Sequence, residues 1–369
     1  VVDGRPEAIH RGKFDSLLAK GYLDDDDGLS VTDAASHWSA PGTHEVAPGV
    51  YRIPLPLPEG PPAINVYAVV DGANVVLIDS GWATDDGARH LTEGLERIGF
   101  DPGLVSQFLI THWHTDHYSL AMDIRGRHGT PVSLGIGERN MVGWHAGEAA
   151  SASESFGASA ALSRAGAGHL ANSLQAALQN SSSVAVELPD RWLEGSPRIV
   201  LQDRTLIGIP TPGHTNGHYS FWDPDAGLFF TGDHILPNIT PWIGLESGPN
   251  RLPLSDYLAS LLLVQTMPDA QLLPAHGPTT PSASQRAREL IEHHHTRLNV
   301  TLEAVTSHPA TALETAHRLR WTRREHRFAD LAEPLQGYAV LEAVAHLDVL
   351  VHRGALHRTE VDGIALYSR

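Results

Sequence analysis

The chain has 369 residues, 41% hydrophobic and 19% charged, an ordinary composition that buries a sizeable core and is long enough for more than one domain. It has no cysteine, which excludes disulfides, thiolate metal sites, cysteine nucleophiles and iron–sulfur clusters together, and no apolar run approaches the length of a membrane span. The formal net charge of −17 disfavours phosphate backbones as partners unless a local basic patch overrides it. That excess lies upstream of Arg286, because the segment from Arg286 to the end carries eleven Arg and eleven acidic residues.

Residues 1–44 read as an N-terminal arm. Its charged start lacks the apolar run of a signal peptide, and Asp24-Asp25-Asp26-Asp27 reads as a solvated loop. A cytoplasmic protein without membrane attachment is expected. Val50–Ile53, Asn65–Val70 and Asn74–Ile78 read as strands rich in β-branched residues, the last two joined by a turn at Asp71-Gly72. Asp85–Ile98 reads as an amphipathic helix, with Ala88, Leu91, Leu95 and Ile98 at helical spacing. Val105–Ile110 is a buried strand that runs into a cluster of histidines. Glu138 to Asn180 is rich in Ala, Ser and Gly and reads as a mostly helical insertion, with Leu162, Leu170, Leu174 and Leu178 on one face. That face either closes over the site as a lid or packs on the body of the protein. Strands resume at Val184–Leu188, Arg198–Leu201, Thr205–Ile209, His218–Trp222 and Leu228–Thr231. The helix Leu254–Gln265 and the strand Gln271–Leu273 follow. The C-terminal part reads as helices at Glu289–Ala304, Thr311–Leu319 and Tyr338–Arg353, then two short strands, Gly354–Arg358 and Ile364–Tyr367, around the turn Asp362-Gly363.

Chemistry concentrates at strand ends. In His112-Trp113-His114-Thr115-Asp116-His117, the first two histidines stand at i and i+2 just past a strand. Extended backbone points both side chains the same way, toward one ion. Asp116 and His117 follow after a turn and can face a neighbouring position. His214, Asp233 and His276 come after further apolar strands. Imidazole and carboxylate donors suit Zn²⁺ and similar ions.

At these residues the sequence closely resembles the metallo-β-lactamase superfamily, from about Gly49 to Pro281, with its five motifs in order: Asp79, His112–His117, His214, Asp233 and His276. The resemblance implies an α/β fold, an αββα sandwich spanning 45–285, with a dinuclear site on one edge. It implies that His112, His114 and His214 hold a first metal, that Asp116, His117 and His276 hold a second, and that Asp233 bridges them. Asp79 is implied to orient a ligand rather than to bind metal. Two divalent ions, Zn²⁺ before Fe or Mn, are the implied cofactors. The bridging carboxylate resembles the glyoxalase II (hydroxyacylglutathione hydrolase), lactonase and RNase Z branches, whereas true β-lactamases lack it. His114 stands where the flavodiiron branch has Glu. A single-iron persulfide dioxygenase uses similar first ligands and stays an alternative.

The implied reaction is hydrolysis of a thioester, ester or lactone by a hydroxide bridging two metals, with Asp116 and Asp233 as the catalytic carboxylates. No nucleophilic side chain is needed, in keeping with the absence of Cys and of a Gly-x-Ser-x-Gly elbow. Residues 286–369 resemble the winged-helix appendage of the lactamase-beta-2-like branch, in Tyr338-Ala339-Val340-Leu341-Glu342 and Ala345-His346-Leu347. That likeness supplies the alternative of an endoribonuclease or phosphodiesterase. Arg318, Arg320, Arg323, Arg324 and Arg327 form a basic cluster there, but Glu325, Asp330, Glu333 and the acidic remainder favour a solvated face. The expected partner is a small-molecule acyl substrate rather than nucleic acid, and a homodimer is compatible with the sequence. His293-His294-His295 reads as an exposed helix start, since consecutive helical residues do not share a face. His218 and His234 read as hydrogen-bonding neighbours of the ligands. Trp113, Tyr118 and Trp242 read as lining the pocket or packing.

Overall fold

The computed structural model describes residues 37–147, 157–179, 186–244, 246, 252–305, 308–322 and 324–369. Asp24–Asp27 and most of the expected N-terminal arm lie outside them. One sheet has seven strands in sequence order: β1 (His44–Ala47), β2 (Val50–Pro56), β3 (Ala63–Asp71), β4 (Asn74–Ile78), β5 (Val105–Leu109), β6 (Val132–Gly135) and β7 (Arg191–Leu193). Pairing is antiparallel from β1 to β4 and parallel from β4 to β7. The second sheet runs β12 (Gln271–Pro274), β11 (Leu228–Gly232), β10 (Tyr219–Asp223), β9 (Thr205–Pro210), β8 (Arg198–Val200), with only β11 and β12 parallel.

Strand periodicity builds the layers. Along β4, Val76 and Ile78 join Tyr67, Val69, Phe221, Phe230 and Leu273 in a core between the sheets. Val75 and Leu77 point the other way, onto Leu91 and Leu95 of α1 (Asp85–Glu96) and Leu120 and Ile124 of α2 (Thr115–His128). In the second sheet Phe230 faces inward, while Phe229 and Leu272 face outward onto α6 (Pro253–Thr266) and α7 (Ala283–Ala304). Helix, sheet, sheet, helix is the expected αββα order. Strands buried on both faces explain the unbroken apolar runs in β4 and β11.

One expected strand does not form. Residues 186–188 are not a strand. Val186 and Leu188 pack on the cluster beneath the sheet instead, with the Glu187 and Leu188 carbonyls bonded to Tyr118 and Arg125 of α2, and the edge strand starts at Arg191, where Asp190 accepts from the Val132 amide at 2.8 Å and sets the register on β6. β6 and α2 carry no strong pattern of their own and were not expected. The insertion forms α3 (Arg139–His145), α4 (Ala158–Arg164) and α5 (Ala171–Gln179). Leu162, Leu170 and Leu174 are fully buried in one cluster with the C-terminal helices, so this face packs on the body and is not a lid. Leu178 lies outside what is described of the side chains.

The C-terminal segment contains α7, α8 (Ala312–Arg318), the small hairpin β13–β14 (Arg320–Trp321 and His326–Arg327), α9 (Glu333–His352) and the hairpin β15–β16 (His357–Val361 and Ile364–Ser368). Residue 286 lies in the first turn of α7, which Ser282 caps by accepting from the Gln285 amide. His293–His295 therefore sit in mid-helix, not at an exposed helix start. His294 is buried, ring to ring with Tyr257 and His346. Among the described residues, no helix is long and apolar enough to cross a membrane.

Candidate metal centre

The strands β4, β5, β9, β11 and β12 all end at one edge of the sandwich, through their parallel pairings and the antiparallel steps β9–β10–β11. Each is followed within four residues by a polar residue of a motif, Asp79 and Asp233 directly and His112, His214 and His276 after a short turn. His114 is the N-cap of α2, which places Asp116 and His117 in its first turn rather than after a free turn. A helix N-terminus favours the Asp116 carboxylate there. Gly232 precedes Asp233 with φ 51°, and a Cβ on it would stand 2.6 Å from Thr111 Oγ1 and 2.8 Å from His218 Nε2. Only glycine brings β11 this close to the histidine cluster.

Seven donors converge. His112 Nε2 lies 2.9 Å from His114 Nδ1, which lies 3.1 Å from His214 Nε2. A second group brings His276 Nε2 to 3.3 Å and His117 Nε2 to 3.6 Å from Asp116 Oδ2. Asp233 stands between them: its Oδ1 is 3.6 Å from His117 Nε2 and 3.5 Å from His276 Nε2, and its Oδ2 is 3.6 Å from His214 Nε2. His112, His117 and Asp233 also converge, so the two groups adjoin. Donors held about 2.1 Å from a tetrahedral ion are about 3.4 Å from one another. The spacings of 3.3–3.6 Å around Asp116 and Asp233 match that edge and exceed most hydrogen bonds, while the 2.9 and 3.1 Å spacings of the first group are tighter. His117 Nε2 and Asp233 Oδ1 are buried without a hydrogen-bond partner, a costly state that a cation between them relieves. The residues present fit metal binding.

The outer nitrogens are tied down. His117 Nδ1 donates to Asp79 Oδ2 at 2.9 Å, while Asp79 Oδ1 accepts from the Thr111 amide at 2.8 Å. Thr111 Oγ1 donates to Asp79 and lies 3.1 Å from His112 Nδ1. His214 Nδ1 donates to the Trp242 carbonyl and His276 Nδ1 to the Ala63 carbonyl, each at 2.9 Å. With Nδ1 carrying the proton, Nε2 is left as a lone pair aimed inward. Asp79 thus orients His117, as the sequence implied. His218 takes the expected hydrogen-bonding place: its Nε2 accepts from the Asp233 amide at 3.2 Å, and its Nδ1 meets Thr211 Oγ1. His234 is buried beside them, ring to ring with His218 and Tyr257. Tyr118 packs, donating to the Glu187 carbonyl, whereas Trp242 is 44% exposed at the rim.

Electrostatics separates the groups. Burial, helped by neighbouring imidazoles, drives His112 and His114 well below their ordinary pKa, and burial also lowers His214. Three neutral imidazoles therefore present lone pairs to one point. In the second group burial opposes charge, but the Asp116, Asp79 and Asp233 carboxylates outweigh it and push His117 up to about 10. His276 is raised against burial by Asp233 and Asp116. Burial would raise Asp116, yet the His117, His276 and His114 imidazoles hold it well below the usual carboxylate range. A cation entering this group displaces protons.

Sequence reasoning gave no role to Thr111, Glu246 or the carbonyls of Ala63 and Trp242. Glu246 accepts from the Trp113 indole at 2.6 Å and from the Asn216 amide at 2.8 Å, joining the two loops of the first group. A threonine beside a histidine run is a weak signal, and backbone carbonyls leave none.

The profile of the metallo-beta-lactamase superfamily matches residues 60–276, a span holding all seven donors. The chain belongs to that superfamily. Membership places it among metal-dependent hydrolases. The probable metallo-hydrolase YqgX of Bacillus subtilis is 25% identical over 226 residues, covering 61% of this chain and 90% of that protein. A beta-lactamase-like protein 2 homolog of Caenorhabditis elegans is 29% identical over 117 residues, 32% of this chain, and the match spans only 37% of that relative's length. A solved beta-lactamase domain protein from Burkholderia ambifaria superposes with a TM-score of 0.74 at 27% identity, covering 89% of this chain and 94% of that one. A metallo-beta-lactamase family protein from Thermus thermophilus shares the fold, with a TM-score of 0.68 at 23% identity over 88% of this chain and 100% of that one. Coverage of this extent carries the superfamily likeness beyond residues 60–276.

Proposed function

We propose that this superfamily member is a dinuclear metal-dependent hydrolase that cleaves a thioester, ester or lactone of a small acyl substrate. The observation that carries the reading is Asp233, whose two oxygens face different donor groups, Oδ1 toward His117 and His276 and Oδ2 toward His214. One carboxylate shared in this way would hold two ions side by side. His112, His114, His214 and Asp233 would hold the first, and Asp116, His117, His276 and Asp233 the second. Bound there, two divalent ions, Zn²⁺ before Fe or Mn, supply a water of lowered pKa and polarise the scissile carbonyl.

The chain's own residues do the rest. Asp116 is partly exposed at the edge and is kept ionised by the imidazoles around it, so it can accept a hydrogen bond from a water and orient it. Asp79 and the Ala63 and Trp242 carbonyls hold the Nδ1 protons of His117, His276 and His214, which leaves Nε2 as the atom that would face a cation. A thiolate or stabilised alkoxide leaves without a dedicated general acid. The probable metallo-hydrolase name of the Bacillus relative supports hydrolysis in general.

A second reading, cleavage of a phosphodiester in RNA, draws on one observation. Arg320 and Arg327 stand directly opposite each other in the β13–β14 hairpin, and with Arg318 they line a cavity of about 360 Å³. Like charges placed opposite each other suit an anion. The test is one panel on metal-loaded protein: acyl thioesters, lactones, penicillins and single-stranded RNA, with Asp233→Asn alongside. Thioester or lactone turnover with negligible penicillin turnover, reduced together with metal content in Asp233→Asn, is expected. Turnover of RNA alone would favour the second reading, and a fully active Asp233→Asn with two metals would overturn the bridge.

A further inference from the structure

The C-terminal segment meets the loops of the metal centre at two described places: Arg286 of α7 donates to the Leu236 and Ile239 carbonyls past Asp233, and α9 carries a short strap beside His214. The His214 ring is fixed by the Trp242 carbonyl at 2.9 Å. The Trp242 indole lies face to face with Tyr338 in the first half of α9, with centroids 3.7 Å apart and planes at 30°. The next residue, Ile243, is buried in the cluster that holds Val340 and Leu341 of α9. Gly244 follows at φ 112°, where a Cβ would stand 2.8 Å from the Leu341 carbonyl oxygen. Three consecutive residues are thus laid on α9. Two residues on, Glu246 holds the Trp113 indole and the Asn216 amide.

These contacts serve only one of the donor groups. Trp242 holds His214, Trp113 separates His112 from His114, and Asn216 lies two residues past His214. The second group is supported elsewhere, by Asp79 at the end of β4 and by the Ala63 carbonyl at the start of β3. We infer that Tyr338 is a positioning residue for the first metal position: by stacking on Trp242 it sets the carbonyl that orients His214, so occupancy of that position depends on this contact with α9 while the second does not. This inference rests on the two-metal reading proposed above.

The partners that orient metal-binding histidines are worth about 10–100-fold in metal affinity. Tyr338 acts one residue further out, so about tenfold is expected. The full-length chain is stripped of metal and titrated with Zn²⁺ against a chromophoric chelator, as wild type, Tyr338→Ala, Tyr338→Phe and Gly244→Ala. The same set is repeated in a His276→Ala background, which isolates the first group. Tyr338→Ala and Gly244→Ala should weaken the first position about tenfold and leave the second within twofold. Tyr338→Phe, which keeps the stacked ring, should restore near wild-type affinity. Equal weakening of both positions, lower thermal stability with both affinities unchanged, or a Phe variant as damaging as Ala would overturn the inference. A wild-type chain that takes up no Zn²⁺ would instead overturn the two-metal reading beneath it.

Discussion

Asp79 does two jobs that substitution separates. It has φ 59°, a left-handed conformation that Asp and Asn tolerate and that costs other L-residues about 1–2 kcal/mol. Its buried carboxylate accepts from His117 Nδ1, the Thr111 amide and Thr111 Oγ1. Asp79→Asn keeps the backbone and most of the volume but removes the charge that fixes the His117 tautomer. Metal affinity at the Asp116, His117 and His276 group should fall about 10–100-fold, or about 1.4–2.7 kcal/mol, with a smaller loss in stability. Asp79→Ala adds the backbone penalty and orphans the Thr111 and His117 N–H groups, each costing about 1–3 kcal/mol when buried. The expected destabilisation is about 3–8 kcal/mol, set against a typical total of about 5–15 kcal/mol. Urea denaturation of metal-free protein measures the stability difference, and chelator competition measures the affinity difference. An Asn variant that binds metal as wild type does, or an Ala variant as stable as the Asn variant, would refute this account.

Two further predictions follow from buried imidazoles. The His112, His114 and His214 group is already neutral, so its Zn²⁺ affinity should stay flat between pH 6 and 8, whereas the group containing His117, pushed up to about 10, should gain about tenfold per pH unit. Chelator competition at stepped pH checks this, and equal slopes at both positions would contradict it. His346, lowered by burial to about 4, is neutral in the fold, so the unfolded chain binds more protons between its ordinary value near 6.5 and about 4. Stability should therefore fall as pH drops through that window, by about 3 kcal/mol from His346 alone. His346→Phe should lose that share of the acid slope in urea titrations at pH 7 and pH 5, and an unchanged slope would rule His346 out as its source.

Much of the site was legible in the sequence because its donors sit where strands end. An apolar run buried on both faces stops at a polar residue, and Asp79, His112, His214, Asp233 and His276 each mark such a stop. The unbroken apolar runs of β4 and β11 likewise fit strands covered on both sides. What residue patterns could not supply were relations between segments far apart in the chain. An apolar stripe says that a face is buried, not against what: Leu162, Leu170 and Leu174 are as consistent with a lid as with the seat they have beside the C-terminal helices. Val186 and Leu188 have strand propensity, yet the edge strand forms at Arg191, because pairing on β6 and the Asp190 hydrogen bond outweigh propensity in so short an element. His293–His295 looked exposed because a polar triplet usually is, while the Tyr257 and His346 rings bury its middle member. The carbonyls of Ala63 and Trp242 carry no residue signature at all. The sequence by itself determined which residues could bind metal and at which end of which strands they stand. Only the tertiary structure decided that the two oxygens of Asp233 face different groups and that α9 lies behind Trp242, since both depend on packing between separate elements that residue patterns do not relate.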